Sequence, residues 1–564
     1  MSKVIVVGLD GASLDLIRLW AEKGKLPTLA WLLQHGTSGP LRSTVHPYTA
    51  QAWTTMVTGV NAGRHRLFDF WERDLEIYGF RLTNASFRAA PALWTVLSER
   101  DRRVIVVNVP MTFPPEPVNG VLVAGRDTPG LHSSFTHPTG VREELERVLG
   151  CPYVIVPNDW RWMRLGRPGK AREELLNEVD IRFAAVRHLT RTRDWDFCMF
   201  VVSATDGAAH FFWHLHDPAF PGHDPVLAGQ LGDVLLSVYQ RTDECLGDLL
   251  EELGGDVSIV IVSDHGSGGR ALRAIHLNRW LASHGWLHFE EDGGPEGRAR
   301  HWVADGITRL KGVAYSLFPY QRLTWLRRMW PDRWRRWLSG YELFAGVDWS
   351  RTQAFSEERR GNIWINLQGR DPQGIVEPGI EYETLRSEII AALESMAAPE
   401  TGAPVVHKVW RREELFDGPF LDCIPDLLVE VESPSQFSIH RGDHSGPAIR
   451  LLTEQEINAL TITGDHRMDG TLILHGPGIR SGVTITRVDM RDVLPTVLYM
   501  MGEPVPVYAE GRVVEEAFLA EWFAAHPLTY GGVGAQMRDQ EGYAYSEKEH
   551  RWIEERLAGL GYMD

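Results

Sequence analysis

Val257-Ser258-Ile259-Val260-Ile261-Val262-Ser263-Asp264-His265-Gly266 is the stretch that decides the fold. Its first six residues form the clearest strand in the chain, an apolar, β-branched run of the kind that parallel sheets covered on both faces require. It ends abruptly in Asp264-His265, with Gly266 permitting a sharp turn. In open parallel sheets ligands bind at the carboxyl edge of the strands. An Asp-His pair at such a tip therefore predicts both an α/β fold and the place of a metal-binding site.

Working outward, the same pattern recurs. Lys3–Leu9 reads as a buried strand ending in Gly8-Leu9-Asp10-Gly11, which puts Asp10 at a strand tip, either as a ligand or as a cap for the helix that begins near Ser13. Residues 196–202 form another buried strand, and beyond it Asp206 and His210 stand four apart, on one face of a helical turn. Such a pair either holds one metal or is a surface hydrogen-bonded pair. Arg103–Val109 and Gly120–Ala124 are further strands, separated by the Pro-rich 110–117, and Ala171–Arg191 and Val234–Leu253 are helices. Later come strands at Val347–Gln353, Asn362–Gln368, Asp426–Val431 and Thr471–Leu474, with helices at Tyr382–Met396 and Arg487–Met501. His466, in Gly464-Asp465-His466, is the third histidine candidate.

Ser43-Thr44-Val45-His46-Pro47-Tyr48-Thr49 leads into a helix spanning about 50–57. If that helix starts at Thr49, the hydroxyl lies where free amides and the helix dipole favour a phosphate oxygen. Thr49 is then either a simple N-cap or a nucleophile. A nucleophilic threonine needs a base or a metal to activate it, and the Asp and His residues at the strand tips are the available activators.

The chain has 564 residues and a net charge of −17, which argues against a nucleic-acid binder, since that needs a basic face. An anionic substrate remains compatible, because bound cations reverse the local sign. Four cysteines without CxxC spacing give neither a disulfide framework nor a thiolate metal site. No signal-peptide stretch or apolar run of bilayer length is present, so a cytoplasmic protein is expected. Residues 292–346 are basic and rich in tryptophan. They read as a helical insertion: a lid over an anionic substrate, a membrane-surface helix, or a segment packed on the core. The expected organisation is a core of residues 1–291, the insertion 292–346, the resumed core 347–527, and a C-terminal appendage 528–564.

Taken as an ordered set, Asp10, Thr49, Asp206, His210, Asp264, His265 and His466 resemble the alkaline phosphatase superfamily, in its type I phosphodiesterase/nucleotide pyrophosphatase branch. Phe68-Asp69-Phe70, Asn108-Val109-Pro110-Met111 and His276-Leu277-Asn278-Arg279-Trp280-Leu281 are similar to prokaryotic members described as phosphohydrolases or phosphomutases. The resemblance implies an alkaline-phosphatase-like α/β core, with a mostly parallel central sheet flanked by helices. It also implies two divalent metal ions, zinc first, with manganese or iron tolerated by the same ligands. Asp206, His210 and His466 would hold one ion, and Asp10, Asp264, His265 and Thr49 the other. Thr49 would form a covalent phosphothreonine intermediate. Metal-bound histidines need an acceptor for the other ring nitrogen, and Asp465 or Asp469 is the expected one.

The sequence departs from its relatives in places. Nucleotide pyrophosphatases carry an Asn after the nucleophile helix where this chain has Phe70, so a second donor to the phosphoryl oxygens is unassigned. Asp69, His276 and Asn278 are the candidate substrate contacts. The CxPxR motif of sulfatases is missing, and superfamily mutases generally use Ser. The expected activity is cleavage of a small or lipid-like phosphodiester. The alternatives are a phosphomonoesterase, a phosphoryl or phosphoalcohol transferase, and a non-catalytic binding protein. The last fits poorly with a complete set of ligands and nucleophile. Peripheral membrane contact through 292–346 stays open, and the sequence does not disclose the oligomeric state.

Overall fold

The computed structural model describes residues 3–290, 344, 346–358, 360–441, 445–486, 488–531 and 543–560. Its central sheet has ten strands. These are β1 (Lys3–Leu9), β2 (Thr37–Arg42), β3 (Val104–Val107), β4 (Gly120–Val123), β5 (Thr136–His137), β6 (Phe197–Val202), β7 (Val257–Val262), β8 (Asp469–His475), β9 (Val483–Thr484) and β10 (Val488–Asp489). Their order is β9-β2-β8-β7-β1-β6-β3-β4-β5, with β10 also paired to β2. The middle strands β7, β1, β6, β3 and β4 are mutually parallel, and antiparallel β8 and β5 flank them. All of β6 and β7, and β1 apart from Lys3, is buried, as their apolar runs demand. Parallel strands bring their carboxyl ends to one edge, so Asp10, Asp206 and Asp264 converge although they are far apart in sequence.

Helices α1 (Leu14–Glu22), α2 (Thr49–Thr58), α3 (Pro168–Thr192), α4 (Ala204–His216), α5 (Val234–Leu253) and α6 (Glu547–Gly559) accompany the sheet. Every residue of α2 is buried. Its position on β1 depends on Gly8, where an added Cβ would lie 2.5 Å from Cη2 of Trp53 and 2.8 Å from Cγ2 of Val201. The indole of α2 therefore rests directly on the backbone of β1. The C-terminal helix is part of this core and does not trail from it as an appendage. Ile553, Leu557 and Leu560 are buried in the main apolar cluster.

A second, antiparallel sheet takes the strands Ala354–Phe355, Asn362–Ile365, Leu427–Val431 and Val406–Arg411 in that order. The helix Ile380–Glu394 contributes to its own apolar cluster, which includes Ile363, Ile365, Leu385, Ile389 and Leu427.

Two expected elements are displaced. Residues 347–353 form a turn instead of a strand: Asp348 Oδ1 accepts from the amide of Ser350, and its carbonyl accepts from Arg351 and Thr352. The local alternation of polar and apolar residues is overridden by this Asx turn. The helix expected from 487 begins at Val493, because Val488–Asp489 first joins the sheet and Asp489 caps the following turn. The Trp-rich stretch expected at 292–346 lies outside the described residues apart from Phe344 and Gly346. Among the described residues no helix is long and apolar enough to cross a membrane.

Candidate active site

The strand tips are laced together before any ligand is considered. The amide of Gly11 donates to Asp264 Oδ1 at 3.2 Å, that of Ala12 to Ser263 Oγ at 2.8 Å, and Thr205 Oγ1 to the carbonyl of Asp10 at 2.6 Å. Gly11 has φ of +67°, and an added Cβ would meet Asp206 Oδ1 at 3.1 Å. A side chain there would push α4 away from the tip of β1. The short strand Gly464–Arg467 pairs antiparallel with Gly266–Gly269, with Ser267 opposite His466. That pairing stacks the His466 ring on His265, with centroids 3.6 Å apart.

All seven residues of the expected set are buried in one place. Nε2 of His210 is 3.1 Å from Asp206 Oδ1 and 3.0 Å from Nε2 of His466. Nε2 of His265 is 3.2 Å from Asp264 Oδ2, 3.8 Å from Asp10 Oδ1 and 3.4 Å from the Thr49 hydroxyl. Two groups of ligand atoms each fall within 4.8 Å: Asp206, His210 and His466, and Asp10, Asp206 and His265. Asp206 thus stands at the junction of both.

The protonation pattern of the histidines follows from their outer nitrogens. Nδ1 of His210 faces the carbonyl of Gly464 at 3.2 Å, Nδ1 of His265 that of Gly266 at 3.0 Å, and Nδ1 of His466 that of Pro47 at 2.8 Å. A carbonyl can only accept, so each Nδ1 carries a hydrogen and each Nε2 is turned inward, that of His210 toward Asp206, which pushes the histidine up. Backbone carbonyls fill the role expected of Asp465 or Asp469. Asp465 instead accepts from the amide of His466 at 2.8 Å and pairs with Arg360 at 3.0 Å.

Burial dominates the electrostatics of the site. Burial, more than Arg126 offsets, pushes Asp10 up to about 7. Burial and then Asp10 and Asp206 push Asp264 well above the carboxylate range. Burial would raise Asp206 too, but His210 and Arg126 outweigh it and hold it well below. Burial drives His265 down to about 4 and, with His265 and Arg360 adding to it, His466 well below the ordinary imidazole range. The inward oxygens Asp10 Oδ1, Asp206 Oδ1 and Asp264 Oδ2 accept no hydrogen bond. Buried carboxylate oxygens facing imidazole nitrogens form a donor set that fits divalent cations.

Residues 4–319 match the family model described as type I phosphodiesterase / nucleotide pyrophosphatase. The chain belongs to that family. It is a metal-dependent phosphoester hydrolase. Among solved structures, phosphonoacetate hydrolase from Sinorhizobium meliloti 1021 in complex with phosphonoformate superposes with a TM-score of 0.52 at 14% identity, over 87% of this chain and 94% of that one. The same enzyme in complex with phosphonoacetate gives 0.51 at 15%, over 87% and 94%. At these identities the likeness bears on the fold, which is that of the alkaline phosphatase superfamily. Human ectonucleotide pyrophosphatase / phosphodiesterase 5 aligns over 92% of this chain and 100% of that one, at 12% identity and a TM-score of 0.46. No curated protein matches the sequence.

The three candidate substrate contacts of this phosphodiesterase-family chain are placed differently from one another. Asp69 is buried; its Oδ1 accepts from the amide of Phe70 and its carbonyl from Thr83 Oγ1. His276 directs Nδ1 to the carbonyl of His440 at 2.9 Å, and Asn278 is bonded to Ser356 and Glu358. Two arginines escaped the sequence reading. Arg126 lies 3.3 Å from Asp10 Oδ2 and 3.3 Å from Asp206 Oδ2, on the outer oxygens of two inward-facing carboxylates. It lies three residues beyond the end of β4, close to the carboxyl edge that singled out Asp10 and Asp264. Arg360 lies in the connection between the strands Ala354–Phe355 and Asn362–Ile365 of the second sheet, in the charged run that begins at Glu357, where nothing local marks a site.

Proposed function

We propose that this protein is a two-metal phosphodiesterase that works through a covalent intermediate on Thr49. Thr49 Oγ1 forms the bond to phosphorus, the bond to the departing alcohol breaks, and water then releases the second product from phosphothreonine. The supporting observation is the convergence of three inward-turned imidazole nitrogens and three buried carboxylate oxygens beside the Thr49 hydroxyl, 3.4 Å from His265. Thr49 is the first residue of α2, so the helix N-terminus favours an anionic phosphoryl oxygen next to the nucleophile. Bound divalent cations, zinc by preference with manganese or iron as alternatives, would lower the pKa of that hydroxyl and offset the phosphoryl charge. The burial of α2 holds Thr49 in place and keeps bulk water from its hydroxyl.

The substrate in this reading is a small or lipid-like phosphoester, and four free thiols accord with a reducing cytoplasmic setting. The test compares bis-p-nitrophenyl phosphate with p-nitrophenyl phosphate on zinc- or manganese-loaded protein. Diester turnover should exceed monoester turnover and fall by at least about a thousandfold in Thr49→Ala, as expected for loss of a covalent nucleophile. A variant that keeps wild-type turnover rules Thr49 out as nucleophile. A monoester preference moves the reading to a phosphatase.

A further inference from the structure

The sequence singled out Asn278, and the structure gives it a use that leads back to the active site. Its side chain makes a reciprocal pair with the backbone of Ser356: Nδ2 donates to the carbonyl at 2.8 Å and Oδ1 accepts from the amide at 2.9 Å. The amide of Asn278 donates to Glu358 Oε1 at 3.0 Å, and the amide of Glu358 to Ser356 Oγ at 2.8 Å. Beside them, the carboxylate of Glu357 accepts from Asn362 Nδ2 and, at 2.8 Å, from the indole of Trp364. Asn362 Nδ2 also donates to the hydroxyl of Tyr48 at 3.2 Å. Ser356, Glu357 and Glu358 are buried.

These bonds fix an unusual backbone. Glu358 and Arg360 have φ of +55° and +51°, a conformation that costs a non-glycine residue about 1–2 kcal/mol. The bonds through Asn278 and Glu357 hold that conformation in place. What it delivers is the guanidinium of Arg360, 3.0 Å from Asp465 and 5.9 Å from the centroid of Tyr48. Those two residues adjoin His466 and Thr49. Asp465 does not serve Arg360 alone, because Arg467 and Arg270 also bear on it. The guanidinium of Arg360 also bears on His210, His265 and His466, so its charge reaches the candidate site.

We propose that Arg360 is a substrate-binding residue that grips an anionic oxygen of the phosphoester, and that Asn278 is the positioning residue that holds it there. The assignment rests on the reading of the site as a phosphoester centre, and it fills the donor left vacant by Phe70. The gripped oxygen belongs either to the phosphoryl group or to a second anion on the departing group. Asp465 is its partner when no substrate is bound.

The experiment measures binding of inorganic phosphate, phenylphosphonate and 4-carboxyphenylphosphonate to zinc-loaded wild type, Arg360→Ala, Arg360→Lys and Asn278→Ala by calorimetry. Metal content and melting temperature are recorded for each. Arg360→Ala should weaken binding about 10- to 100-fold, as for a lost charge-assisted hydrogen bond. Metal content should stay at the wild-type level, Arg360→Lys should recover part of the affinity, and Asn278→Ala should share the loss. Loss for all three ligands assigns Arg360 to the phosphoryl group, and loss confined to 4-carboxyphenylphosphonate assigns it to the second anion. Unchanged binding of all three by fully loaded Arg360→Ala overturns the assignment. A loaded wild type that binds none of them overturns the phosphoester reading, and this assignment with it.

Discussion

Arg126 is the residue that ties together the two halves of the candidate metal-binding set. Its guanidinium takes the outer oxygens of Asp10 and Asp206 while their inner oxygens face the histidines. A fork of fixed geometry holds both carboxylates in one plane of approach, which a flexible ammonium does not reproduce. Arg126 in turn is fixed through its carbonyl, which accepts from Nη1 of Arg556 on α6 at 2.7 Å. Removing the guanidinium frees both carboxylates to rotate away from the histidines they face. Arg126→Ala should therefore weaken zinc binding and lower kcat/KM, each by about 10- to 100-fold, as for other residues that orient metal ligands. Arg126→Lys should recover part of the loss in activity and less of the loss in affinity. Competition with a chromophoric chelator measures the affinity directly. Wild-type affinity in Arg126→Ala would mean that the carboxylates are held by the strand tips alone.

At the scale of elements, the decisive contact is α2 on β1, because it sets the height of Thr49 above the strand tips. Gly8→Ala inserts a methyl group against Trp53 and Val201, an overpacking that typically costs about 1–3 kcal/mol. Since Trp53 lies one helical turn from Thr49, the relief should displace the proposed nucleophile. The expected result is a lower denaturant midpoint and a fall in kcat larger than the stability loss explains, measured at a temperature where the variant is fully folded. The contrast between what was legible in the sequence and what was not has the same origin. Strand tips such as Asp10 and Asp264-His265 announce themselves locally, because an apolar run, a turn and a ligand are contiguous. Arg360 carries no such mark, since its position comes from bonds to Asn278 and from the pairing of a separate sheet. The 347–353 stretch misled because its alternation suits a strand while Asp348 favours its own turn. The C-terminal helix misled because charged residues surround Ile553 and Leu557, which nevertheless lie on the core side.

Over the whole molecule, the buried titratable groups outside the metal-binding set divide into two classes whose effects on stability run in opposite directions with pH. His65 is fully buried: Nδ1 accepts from the amide of Leu67 at 3.2 Å, so Nε2–H donates to Thr55 Oγ1 at 2.9 Å. Burial, with Arg88 adding to it, pushes this histidine down to about 3. The unfolded chain takes up that proton near 6.5 and the folded one only near 3. Stability present at neutral pH is therefore lost as the pH falls through this window, by about 2 kcal/mol at pH 5. Asp159 is the opposite case, a carboxyl raised by burial to about 7. The unfolded chain releases its proton near 4 and the folded chain only near 7, so rising pH destabilises the fold across that window. With metal held saturating, urea midpoints taken from pH 5 to pH 8 should separate the two. His65→Gln should flatten the acid side and leave pH 8 little changed apart from a constant packing cost. Asp159→Asn should raise stability at pH 8 relative to wild type by a few kcal/mol, with the gain shrinking toward pH 5. Parallel profiles for wild type and Asp159→Asn would mean that this carboxyl is already ionised in the folded protein, held so by Arg126.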